Sequence, residues 1–248
     1  MNRLVLWDLW KPLDGVRHRA ATAGASVISR FRSICKLPNA KIFVIGRNKT
    51  GTTSIKAALR RLGYRLGQQR RAELLTIDWG QRDFRALVAF IHTADAFQDV
   101  PFSYDFTFQA VDQAFPGSRF ILSVRDSEEQ WYQSLVRFHS RRLKGRFDPD
   151  SLPTWEDIRR DSYVHDGWTF RNQLLIHGSN VLKTDPWDEA RWKQYYRSHN
   201  QRVIDYFRNR PDDLLVLNVG HPDSMRQLCK FLGKKYDGEP MPRKNQSQ

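Results

Sequence analysis

The 248-residue sequence has only two cysteines, Cys35 and Cys229, far apart and outside any CxxC or Cys/His spacing. That excludes a disulfide framework and a structural zinc site, and it makes a reducing compartment the default. Cys229 lies in SMRQLCKFLG, a short apolar helical pattern in which a buried small hydrophobe is expected. No apolar run approaches the roughly 18 residues of a membrane span. Glycine and proline, at 14 and 11 residues, are too few for a collagen-like or low-complexity chain. The start, MNRLVLWDLWKP, is broken by Asp8 and lacks a small-residue cleavage site, so it does not read as a signal peptide. A cytoplasmic protein is expected. Acidic residues are scarce at one end: residues 1–71 hold 16 Lys/Arg against Asp8 and Asp14 alone, whereas residues 72–248 hold 25 of each sign. The formal net charge of +14 therefore sits in the first 71 residues. Such asymmetry suits an anionic partner, whether cofactor phosphates, an acidic glycan, a membrane surface or nucleic acid.

What is present reads as one α/β domain over 1–248, with a basic helical extension at 1–38 and a basic tail at 233–248. In the extension, Val16, Ala20, Ala23, Val27, Phe31 and Ile34 fall near helical spacing among arginines. It packs on the domain or, with Trp7 and Trp10, touches an anionic membrane surface. KIFVIG is a short β-rich run, and TTSIKAALRRLG after it is helical with Gly63 as a stop. Helical patterns follow in DFRALVAFIHTAD, YDFTFQAVDQAF, EEQWYQSLVRFHSRRLKG, DPWDEARWKQYYRSHNQRVIDYFRNR and PDSMRQLCKFLG. Strands are expected at AFQDVP, RFILSVRD and LLVLNVG, whereas 148–184 shows no clean period. Alternating strands and helices argue for a parallel sheet covered on both faces.

The loop in VIGRNKTGTTS has the shape of a phosphate cradle: a strand, a Gly-containing turn and a helix N-terminus that offers backbone N–H groups to an anion. Lys49 adds a positive charge, and Thr50, Thr52 and Thr53 add hydroxyls. A magnesium-dependent P-loop would read GxxxxGK[ST], but here Thr52 follows Gly51 and the lysine stands two positions before that glycine. A magnesium-dependent NTPase is disfavoured, and no histidine pair has metal-ligand spacing.

KTGTTS after a strand resembles the 5′-phosphosulfate loop of sulfotransferases that use 3′-phosphoadenosine 5′-phosphosulfate (PAPS). FILSVRDSEEQWYQS is similar to that family's 3′-phosphate segment, and HNQRVIDYFRNRPDDLLVLNV, LCKFLG and MPRKN resemble its bacterial-type branch. The resemblance covers about residues 41–245. It implies a three-layer fold like that of P-loop NTPases, with a central parallel sheet flanked by helices. It also implies PAPS as sulfuryl donor and no metal. The donor would lie among Arg47, Asn48, Lys49, Thr50, Gly51, Thr52, Thr53 and Ser54, with Lys49 catalytic. Arg125 would pair with the 3′-phosphate beside Ser134 or Ser127, and Arg243 and Lys244 would close over the same group.

Sulfuryl transfer to a hydroxyl needs a base within reach of the acceptor. Asp99, two residues before Pro101, stands where one branch of the family has its histidine; the Glu that glycan-modifying branches place after the first helix would point to Glu73 or Asp78. Capping the turn is the competing role for Asp99. The expected acceptor is a glycan, glycolipid or other small metabolite. A nucleotide kinase with an unusual loop, or a non-catalytic anion- or nucleic-acid-binding protein, are the competing readings, although no nucleic-acid motif is present.

Overall fold

The computed structural model describes residues 40–243, which belong to the unit Asn39–Gln248. The basic extension at 1–38, Cys35 and Lys244 lie outside the described residues. Four short strands, β1 (Ile42–Val44), β2 (Ala96–Gln98), β3 (Arg119–Ser123) and β4 (Leu214–Leu217), form one sheet in the order β2-β1-β3-β4. All pairs are parallel, with Val44 opposite both Gln98 and Ile121. The connection leaving β1 leads to one side of the sheet and that leaving β3 to the other. The crevice between their carboxyl ends is the switch point where open α/β sheets bind ligands.

Residue alternation on β1 explains why both faces are covered. Ile42 and Val44 join Ile55, Leu59, Ile121 and Met225 on one face, beneath α1 (Thr52–Arg61) and α10 (Ser224–Phe231). Phe43 and Ile45 face the other way, with Phe97, Phe120, Phe108 and Phe207 from α5 (Thr107–Ala114) and α9 (Glu189–Phe207). A residue buried on each side of a strand is what a parallel sheet demands, and the three-layer α/β fold expected from the sequence is the one observed. Cys229 is buried in the first of these clusters.

Between β1 and β2 lie α2 (Gln69–Leu74), α3 (Thr76–Gly80) and α4 (Arg85–Ile91). After β3 comes α6 (Glu128–Lys144), with Glu128 and Glu129 in its first turn and Arg141, Arg142 and Lys144 in its last, the order that complements the helix dipole. The segment without a clean period holds α7 (Trp155–Arg159), started by a Thr154/Asp157 capping box, and α8 (Trp168–His177). The reason is visible in α8, which buries Thr169, Asn172 and Gln173 beside Trp168 and so has no apolar stripe.

Candidate functional site

The loop between β1 and α1 is shaped by two close approaches. A Cβ on Gly46 would lie 2.2 Å from Ser123 Oγ, and one on Gly51 would lie 2.3 Å from Val219 Cγ2. Gly51 also has φ +90° as the residue preceding α1, a conformation that costs an L-residue energy. Lys49, likewise left-handed at φ 71°, turns the chain just before it. The first turn of α1 carries no acidic residue, so its N–H groups and dipole are left to an anion.

The residues expected to hold the cofactor divide by what their side chains already do. Thr50 is fully buried, and its hydroxyl donates to the Arg47 carbonyl or to Ser123 Oγ, both at 2.6 Å; what it has for a ligand is backbone. Arg47, 2% exposed, donates to the Ser103 carbonyl (2.6 Å) and to Asp105 Oδ1 (2.7 Å) and lies 3.5 Å over the Tyr195 ring. Its guanidinium thus belongs to a buried network centred on Asp105. Arg202 and His199 complete that network, and His199 also meets the Ile45 carbonyl at 2.8 Å. Asn48 accepts from Ser103 Oγ through its side chain and from Trp131 Nε1 through its carbonyl. Thr52 and Thr53 line an open polar cavity with Lys49, and Ser54 is buried behind them in α1.

Arg125 reaches the same loop from the end of β3: its Nε donates to the Lys49 carbonyl at 2.7 Å. Ser127 caps α6, accepting from the Gln130 N–H at 3.1 Å, while Ser134 is part-buried in the second turn of that helix and does not line the polar cavity. Arg243 is exposed. Just before it Met241 is buried against α1, and Arg61 donates to the Glu239 and Pro240 carbonyls, so the tail returns along the helix that the loop precedes.

The polar cavity, a space of about 830 Å³ with its mouth, is lined by Lys49, Thr52, Thr53, Gln69, Glu73, Asp99, His139, Arg142, Tyr163 and others. Two of the three acids considered as base meet there. Gln69 Nε2 donates to Glu73 Oε1 at 3.0 Å and to Asp99 Oδ2 at 3.1 Å, while Gln98 Nε2 donates to Gln69 Oε1 at 2.9 Å and fixes which way that amide points. Asp99 also accepts from the Val100 N–H, the turn-capping bond expected of it, and sits at φ 69°. Asp78 does not line this cavity. Burial pushes both Asp99 and Glu73 above the usual carboxylate range; Lys49 and Lys56 pull Asp99 back, and the Gln69 hydrogen bond pulls Glu73 back. Lys49, with Nζ 3.5 Å over the Phe138 ring, is brought down to about 8 by burial, against the pull of Asp99 and with the help of Arg125.

His139 packs on Trp187 and also lines this cavity. Arg142 can only donate, so its Nη2 at 3.3 Å makes His139 Nδ1 an acceptor and leaves the proton on Nε2. Burial, then Arg142 and Lys49, hold the ring well below its ordinary pKa and therefore neutral. Neither His139 nor Gln69 carried a local signal; their role follows from where α6 and α2 pack. Among the described residues no group of three or more His, Cys, Asp or Glu is placed to hold a metal ion.

The sheet order, a glycine-shaped loop before α1 and the cations Lys49 and Arg125 at it define an α/β protein whose switch point carries backbone N–H groups and positive charge. The chain matches the model of the sulfotransferase domain over residues 41–248, and it belongs to that family. No curated protein matches it. Among the described residues no helix is long and apolar enough to cross a membrane.

Proposed function

We propose that the protein transfers a sulfuryl group from PAPS to a hydroxyl acceptor. The observation that carries this reading, beside the family, is the meeting of Lys49, Arg125 and Asp99 around one loop. The residues present fit such a donor. Gly51 lets the loop turn left-handed against Val219, where any Cβ would clash, the first turn of α1 is free of acids, and Arg125 has only part of its fork engaged with the loop.

When bound, the donor supplies a sulfur centre whose bond to the phosphate breaks as the acceptor oxygen attaches. Lys49 stands ready with a positive charge for the phosphate that leaves, in a half-buried position where it acts more strongly than in water. Arg125 holds the 3′-phosphate, with Ser134 or Ser127 beside it and the tail at Arg243 and Lys244 closing over it. Asp99 takes the acceptor proton, its affinity for it raised by burial.

Calorimetric titration with adenosine 3′,5′-bisphosphate, with and without EDTA and against ATP, tests the donor assignment. Micromolar binding that survives EDTA and that ATP does not match is expected. Magnesium-dependent preference for ATP would return the kinase reading, and no nucleotide binding would return the anion-binding one.

A further inference from the structure

Phe138 stands on α6 at the wall of the polar cavity, 38% exposed, and joins none of the apolar clusters among the described residues. Burial does not account for such a ring. What its face meets is the Lys49 ammonium, whose Nζ lies 3.5 Å from the ring centroid. We propose that Phe138 is a positioning residue, whose ring holds the Lys49 ammonium ready before a donor binds and keeps it from pairing with Asp99. The proposal rests on the sulfotransferase reading and concerns how that site stays competent between turnovers.

The ammonium has a rival partner close by. Lys49, Asp99 and Glu73 line the same cavity, and Lys49 and Asp99 attract each other across it. In a half-buried space that attraction is stronger than in water. Yet among the described residues Asp99 is met by Gln69 and the Val100 N–H, and Glu73 by Gln69 and Arg70, while the ammonium lies on the ring.

The choice of partner matters chemically. A ring face attracts a cation through its quadrupole and leaves no charge behind when the cation moves to an oxyanion. A Lys49–Asp99 pair would differ on both counts. The donor's phosphate would have to break it and leave the half-buried Asp99 without a counter-charge. While the pair lasted, the lysine would hold the carboxylate ionised and make it a weaker base for the acceptor proton. A cation for the leaving group and a base for the acceptor serve one reaction only when they are kept apart.

The other charged and titratable groups around the ring are already committed. Arg142, one helical turn after Phe138, has its guanidinium carbon 6.0 Å from the same ring but is paired with Asp161 and donates to Thr169. Arg125 is bonded to the Lys49 carbonyl, and Arg70 is paired with Glu73. His139, packed against Phe138 at 5.2 Å, is held neutral by burial, and burial likewise keeps the Tyr163 hydroxyl protonated. Lys56 acts on Asp99 through space from α1. Lys49 is the cation on this ring that is free to move.

Competitive acetylation of the ligand-free protein with trace acetic anhydride, read at Lys49 by mass spectrometry across pH, tests this together with calorimetric titration of adenosine 3′,5′-bisphosphate. In the wild type Lys49 should titrate at about 8, and Phe138→Tyr, which keeps the ring face, should match it. Phe138→Leu lets the ammonium pair with Asp99, so the midpoint should rise by about one pH unit or more and bisphosphate affinity should fall about tenfold. Adding Asp99→Asn to Phe138→Leu removes the rival carboxylate, which should bring the midpoint back down and return the affinity to within about threefold of the wild type or better. If Phe138→Leu shows no cooperative melting transition, Phe138→Met replaces it. A midpoint that stays where it was or falls in Phe138→Leu overturns the proposal, as does a loss of affinity that Asp99→Asn does not restore. A wild-type protein that does not bind the bisphosphate sinks the sulfotransferase reading instead, whereas the acetylation midpoint reports on Lys49 and Phe138 with no donor present.

Discussion

Arg125 Nε lies 2.7 Å from the carbonyl oxygen of Lys49, so the arginine at the end of β3 is bonded to the backbone of the loop that follows β1. Its own N–H donates to the Tyr196 hydroxyl at 3.0 Å, which ties the same point to α9. One side chain thus supports the loop and offers the rest of its fork to a ligand.

These two roles of Arg125 can be separated by choice of ligand. In Arg125→Ala, affinity for adenosine 3′,5′-bisphosphate should fall about 10- to 100-fold, the effect of losing a charge-assisted contact of about 1.5–3 kcal/mol. Adenosine 5′-phosphate lacks the 3′ group and should lose much less. Equal losses for both ligands in calorimetry would mean that Arg125 acts only by holding the Lys49 carbonyl.

Lys49 and Asp99 set opposite limbs of a pH profile. Turnover needs Asp99 ionised, so kcat/KM rises as pH climbs through its raised pKa; it needs Lys49 charged, so kcat/KM falls as pH passes about 8. Lys49→Ala should lower kcat by about 100-fold or more. Lys49→Arg, whose guanidinium stays charged, should lose the alkaline limb while retaining more activity than the alanine variant. An alkaline limb that persists near 8 in the arginine variant would assign it to another group.

Gln69 gives both N–H bonds of one amide to Glu73 and Asp99. Gln69→Leu removes those donors from two part-buried carboxylates that already repel each other, which raises the affinity of both for protons. The acid limb of kcat/KM should move to higher pH and kcat should fall about tenfold, with bisphosphate affinity unchanged. A fall in kcat with no movement of the acid limb would show that Gln69 matters only for packing.

The strands, the glycine-bounded loop and the helices on either side of the sheet were legible because periodicity and turn chemistry act locally. Gly46 follows β1 by two residues, α1 begins after Gly51, and Pro211 stands between the long helix and β4. What could not be read depends on partners far along the chain. Arg47 sits in the loop motif as a cofactor ligand would, yet Asp105, 58 positions on, draws its guanidinium into the fold. Glu73 and Asp99 stood as alternatives in the sequence, and only the packing of α2 beside the end of β2 makes them neighbours through Gln69. The polar faces of α8 hid the helix that brings Trp168 and Gln173 to line a pocket with Arg47 and Tyr195.

Asp105 is the last and most structural of these cases. Burial alone would raise its pKa, but the hydrogen bond from His199 and the charges of Arg47 and Arg202 hold it well below the usual carboxylate range. A depressed folded-state pKa means stabilisation that is complete above the unfolded value of about 3.9 and is lost as pH falls through the folded one. Asp105→Asn leaves the Arg47 guanidinium buried without its counter-charge, which should cost about 3 kcal/mol at pH 7. In urea unfolding, the gap between wild type and variant should shrink as pH is lowered from 6 toward 3, because only the wild type has this carboxylate to protonate. A gap that stays constant over that range would mean that the shape of the residue at 105, and not its charge, holds Arg47 beneath the loop.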